Sequence, residues 1–148
     1  MATWSYVVFG LVAGAMLPFQ AGINAVLASY VGSPVRAVLV SFAVGTLALL
    51  AVVLAFFRGW PGSTEVGGAP WWVWVGGLLG AFYVAGSIVV APKIGAVTLV
   101  AVLLAGQAVA SLLVDQYGWV GFPEHPITPG RLAGIALVAV GVGLVRLY

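Results

Sequence analysis

Between Trp4 and Ser29 the chain carries no charged side chain, and four further stretches of similar character follow. A bilayer span needs about 20 mostly apolar residues, and in lipid a helix is the simplest way to satisfy every backbone donor and acceptor. Five segments qualify: about Trp4–Ser29, Pro34–Phe57, Trp71–Val90, Ala96–Val114 and Arg131–Arg146. The expected fold is all-α, an integral membrane protein of five transmembrane helices forming a single membrane domain over residues 1–148. Only 5% of the residues are charged, against about 25% in soluble domains. A chain of 148 residues is short for a transporter bundle, so a sizeable pathway calls for more than one chain.

The connections are punctuated by turn formers. Tyr30-Val-Gly32-Ser-Pro34 ends the first span and starts the second, with Pro34 suited to a first helical turn. Arg58–Pro70, rich in Gly and Pro and carrying Glu65, reads as an aqueous loop. Trp71, Trp72 and Trp74 then form an interfacial aromatic belt, to which Trp4 and Trp119 belong as well. Pro92-Lys93-Ile-Gly95 predicts a tight turn, and Asp115–Gly130, with Glu124, His125 and three prolines, a second aqueous loop. The arginines of the fifth span can snorkel outward. No Lys or Arg precedes the first apolar run, and Pro18, Gln20 and Asn24 lie inside it. It is therefore expected to be a retained span rather than a signal peptide.

Five spans put the two termini on opposite sides of the membrane. Arg58 and Arg131 then share the side of the N-terminus, while Arg36, Lys93 and Arg146 fall on the other. The positive-inside rule works on this difference, which is almost nil. Two readings are open: one orientation set by a weak bias, or dual topology with copies pairing antiparallel. The second would build from one sequence the inverted repeat that many transporters hold in one chain.

The first span is the most informative. Gln20 and Asn24 are four residues apart and share a face. Gly10, Gly14, Pro18 and Gly22 line a second, small-residue face roughly 160–200° away. Pro18 removes a backbone bond and is the expected helix bend. Tyr83 and Ser87 pair in the third span, and Gln107, Ser111 and Asp115 form a stripe in the fourth. Gln20, Asn24, Tyr83, Ser87, Gln107 and Ser111 are the candidate substrate-binding residues, and Asp115 the candidate coupling residue. Each has a plainer reading: amides tie helices together, and serines bond back to their own backbone. Tyr83 can be core, and Asp115 a capping carboxylate at the interface. Arg36 and Lys93 read as snorkelling anchors or substrate contacts.

Several classes are disfavoured. The chain lacks a phosphate loop, a His-Glu-x-x-His pair and a Gly-x-Ser-x-Gly turn. The one histidine, His125, has no second histidine to share a metal, and there is no cysteine. No cofactor, metal, nucleic-acid partner or enzymatic activity is expected.

The residues form a recognisable set. Leu17-Pro18-Phe-Gln20-Ala-Gly22-Ile-Asn24 with Leu27, Gly76-Gly-Leu-Leu-Gly80-Ala-Phe-Tyr83, and Pro92-x-Ile-Gly95-Ala make its first part. Gly106-Gln107 with Asp115-x-x-Gly118, and Arg131-x-x-Gly134 with Gly141, complete it. Together they resemble the half-size YdcZ-type proteins of the drug/metabolite transporter superfamily. The resemblance implies a multi-pass protein of the bacterial inner membrane, similar to one half of the ten-span EamA-like transporters. Those are built from two inverted five-span halves around a central pathway, and they exchange or export small organic molecules. The family-like residues here are Gln20, Asn24, Tyr83, Gln107 and Asp115. The related small multidrug resistance proteins hold a glutamate in helix one that binds protons and cationic drugs; the first span here has no carboxylate. Export of drug cations by that mechanism lacks its key group.

The expected function is secondary transport of a small organic solute through a homodimer in the bilayer, with the copies antiparallel in the dual-topology reading. Gln20, Asn24 and Gln107 would orient a neutral or zwitterionic substrate against Tyr83. A passive dual-topology channel and a non-transporting membrane subunit are the alternatives.

Overall fold

A computed structural model describes residues 2–57 and 67–147, with side chains from residue 4 to 147 of that range. Arg58, Glu65 and Tyr148 lie outside the described residues, as does most of the first aqueous loop. Among the described residues there are five long helices: α1 (Ala2–Val31), α2 (Pro34–Phe56), α3 (Gly76–Ile94), α4 (Ala96–Tyr117) and α5 (Pro129–Leu147). All five are long and apolar enough to cross a membrane, the third counted from the 3₁₀ turn Trp71–Val75 that leads into α3. No strand occurs among the described residues. The chain divides into two compact units, Met1–Pro92 and Lys93–Tyr148.

In the first unit α1 packs on α2, and Val84 and Ile88 of α3 join Ala37 and Val38 of α2 in one buried cluster. Ala25, Ala28 and Val31 of α1 pack against this cluster from the side. The preponderance of alanine follows from the solvent. Lipid is as apolar as a leucine side chain, so helices gain little by hiding leucine from it. Close van der Waals approach between small residues drives association instead. Leu11, Leu47, Leu54 and Phe82 are accordingly exposed. At the α1–α2 turn the Arg36 guanidinium folds back, and Nη1 donates to the Val31 carbonyl at 3.2 Å. That bond meets one of the carbonyls a helix end leaves without an intrahelical donor.

The end of the third helix differs from the sequence expectation, whereas α1 runs as a single helix with Pro18 inside it, as the first span requires. α3 runs through Pro92 to Ile94, past the expected end at Val90. Proline removes its own bond to the carbonyl four residues back and crowds it, and membrane helices tolerate this where neighbouring groups satisfy the freed carbonyl. Gly95 stops the helix instead, at φ 81° and ψ 163°, a conformation essentially reserved for glycine. Its carbonyl then accepts the Leu99 N–H at 3.0 Å and starts α4.

In the second unit α4 and α5 pack as an antiparallel hairpin. The link between them is tightly built. Gly118 caps α4 in the left-handed region at φ 60°. A 3₁₀ turn, Trp119–Gly121, follows, and Trp119 stacks on Tyr117 with ring centroids 5.1 Å apart. The His125 N–H donates to the Asp115 carbonyl at 2.7 Å, and the Ile127 N–H to Gln116 Oε1 at 2.6 Å. Thr128 Oγ1 accepts the Arg131 N–H at 3.3 Å, a side-chain cap for the start of α5.

Candidate functional site

The first unit holds Gln20, Asn24, Tyr83 and Ser87. The face that α1 buries includes Ala21 and Asn24, with Ala25 and Ala28 half-buried beside them. A four-residue step leaves Gln20 about 40° round the helix from Asn24. That offset is enough to separate them: Gln20 is exposed, whereas Asn24 is only 2% exposed. The Asn24 Nδ2 is fully enclosed and has no hydrogen-bond partner among the described residues. An amide donor enclosed without an acceptor is rare in folded proteins and costs about 1–3 kcal/mol in aqueous folding. Asn24 lies seven residues from the end of α1, about 10 Å along its axis.

Ser87 is also buried, but its hydroxyl donates to the Val84 carbonyl of its own helix at 2.8 Å. Tyr83 is half-buried and packs against the Ala37–Val38–Val84–Ile88 cluster. Tyr83 and Gln107 are each engaged in a further side-chain interaction.

The second unit holds Gln107, Ser111 and Asp115. Ser111 and Asp115 line a groove of about 260 Å³ between α4 and α5, whereas Gln107, exposed on α4, does not. The floor of the groove is apolar: Ala108 and Leu112 from α4, and Ile135 and Val138 from α5. Gly134 forms a notch in its wall, and a Cβ built there meets no atom within 4 Å. At its polar end Arg131 Nη2 donates to Asp115 Oδ2 at 2.9 Å, and Arg131 Nη1 to the His125 carbonyl at 3.2 Å. The two side chains are 38% and 26% exposed respectively. Asp115 thus ties the end of α4 to the start of α5. Arg131, expected to snorkel outward, instead turns back to this carboxylate, because the hairpin delivers it to an opposite charge.

A family model described as "Putative inner membrane exporter, YdcZ" matches residues 5–144. The chain belongs to the YdcZ family. The inner membrane protein YdcZ of Escherichia coli (strain K12) is 36% identical over 100 residues, which cover 67% of this chain and 66% of that protein. The alignment therefore takes in just under two thirds of the relative's own length. No solved structure matches the chain. With its five spanning helices, this YdcZ-family chain is a multi-pass protein of the inner membrane.

Sequence reasoning passed over Arg131, Gly134 and Gln116 as groove or loop builders. A signal was present. Asp115 and Arg131 flank one interhelical loop, and any antiparallel hairpin brings the end of one helix beside the start of the next.

Proposed function

We propose that this YdcZ-family chain is a secondary transporter that exports a small organic solute, with a polar pathway completed by a second copy. Its action is transport rather than catalysis. The enclosed, unpartnered Asn24 amide carries the reading. A donor held without an acceptor at membrane depth supports a site in which a solute carbonyl or carboxylate is the missing partner. In this reading Gln20, exposed on the adjacent arc of α1, meets the solute from the surface that the second copy covers. Tyr83 forms the aromatic wall, and Ser87 of the same helix lines the path. Pro18 and Pro92 leave backbone carbonyls without their usual donors, where a helix can flex during alternating access. Asp115, neutralised by Arg131, is a tether between helices rather than a coupling carboxylate. The solute is neutral or zwitterionic, since the path is lined by amides and hydroxyls.

The copies pair antiparallel. Support comes from the near-equal split of Lys and Arg between the two sides.

The test is solute counterflow into liposomes containing only the purified chain, run across neutral and zwitterionic organic solutes. Saturable exchange by wild type that falls at least tenfold in Asn24→Leu supports the reading. Unitary currents without saturation, or no flux of any solute, would overturn it.

A further inference from the structure

The α4–α5 groove combines an apolar trough with an ion pair at one end, and those two features narrow what can lie in it. The trough extends from Ala108 to Asp115 along α4, about 10 Å. At about 260 Å³ it is smaller than the usual range for drug-sized ligands. It is open along its length rather than closed, which suits a linear chain. Both helices span the membrane, so the apolar chains available there are lipid tails. The polar end lies two residues from the end of α4 and two from the start of α5. Tyr117 and Trp119, which stack at this same end, are residues of the headgroup level.

The charges specify the headgroup. Asp115 uses Oδ2 for Arg131, and its Oδ1 has no bond among the described residues. Arg131 uses one N–H on each of Nη1 and Nη2, leaving three of its five N–H groups to donate. The pair is neutral overall and partly exposed, so it attracts no net charge; it leaves a carboxylate acceptor and guanidinium donors at the same end of the groove. The geometry points to a structural phospholipid of the phosphatidylethanolamine type seated on this hairpin. Its ammonium donates to Asp115 Oδ1, its phosphate accepts from Arg131, and one acyl chain runs over the Gly134 notch towards Val138. Phosphatidylglycerol offers a phosphate but no cation. Phosphatidylcholine has a cation but no N–H to donate.

The test is native mass spectrometry of the full chain in detergent, with phosphatidylethanolamine, phosphatidylglycerol and phosphatidylcholine added singly and in competition. Wild type is expected to retain phosphatidylethanolamine about tenfold better than either competitor, the worth of one charge-assisted hydrogen bond. Gly134→Leu fills the notch where a Cβ has room and is expected to lose that retention with its helical content unchanged. Asp115→Asn, which leaves Arg131 uncompensated, is expected to turn the preference towards phosphatidylglycerol. A merely structural ion pair would not reverse a headgroup preference. Equal retention of the three lipids by wild type would overturn the assignment, as would undiminished retention in Gly134→Leu. Dimers that exclude lipid from the groove would overturn it too, since a second copy would then be the occupant.

Discussion

Gly118 is the position where the structure sets a stability cost most directly. It ends α4 at φ 60° and ψ 30°, where an L-residue pays about 1–2 kcal/mol relative to the right-handed region. A Cβ there would also sit 2.8 Å from Glu124 Cγ and 3.3 Å from the Phe122 carbonyl oxygen. The glutamate can rotate away. The carbonyl belongs to the turn backbone, whose Phe122 N–H already donates to Trp119 at 3.2 Å, so it yields only a few tenths of an ångström. Gly118→Ala is therefore expected to destabilise the chain by about 2 kcal/mol, the left-handed cost with a smaller steric part added. The assay is reversible unfolding in mixed micelles followed by circular dichroism, with Glu124→Ala as the companion variant. In the Glu124→Ala background the cost should fall but stay near 1 kcal/mol, because removing the side chain leaves φ unchanged. Wild-type stability for Gly118→Ala, or full rescue by Glu124→Ala, would refute the reasoning.

The same conformational rule predicts the opposite sign nearby. Val120 is β-branched, exposed and held at φ 51°, so Val120→Asn should stabilise by about 1 kcal/mol in the same unfolding assay, since asparagine tolerates this region. Asn24→Leu should leave stability unchanged or slightly higher while transport falls, because no protein hydrogen bond is lost at Nδ2. If Asn24 were interhelical glue, the variant would lose about 0.6–2 kcal/mol in unfolding. A double-mutant cycle of Asp115→Ala and Arg131→Ala should show a coupling of about 0.5–1 kcal/mol, the range of partly exposed pairs, shrinking in high salt. Zero coupling at low salt would remove the tether. Paired cytoplasmic and external reporters fused after Tyr148 should both give signal if copies insert both ways; signal from one reporter alone would remove the antiparallel homodimer.

Some elements were legible in one dimension because their cause is local. The five spans follow from runs of apolar residues, whose transfer into lipid adds up along one segment whatever the rest of the chain does. Pro34 at the start of α2 was readable for the same reason, since φ preferences belong to single residues; the fourth helix instead runs past the expected end at Val114 to Tyr117, where Gly118 stops it. Pro92 misled about the end of α3: the chain stays helical through it at the loss of one bond to the carbonyl four residues back, and Gly95, three residues later, ends the helix.

The polar residues are a different matter. Helical spacing places Gln20 and Asn24 together, but only the packing of α1 in its unit puts the edge of the buried arc between them. Ser111 and Asp115 share a stripe with Gln107, yet the groove takes in the first two and not the third. The apolar run lengths and charge-poor composition determined by themselves that this chain is a five-helix membrane protein. Tertiary structure alone decided which amide is enclosed without a partner and which carboxylate is held by Arg131, sixteen residues away. The physical reason is that burial and ion pairing depend on which helix face meets which, and that is settled by contacts between segments distant in the chain.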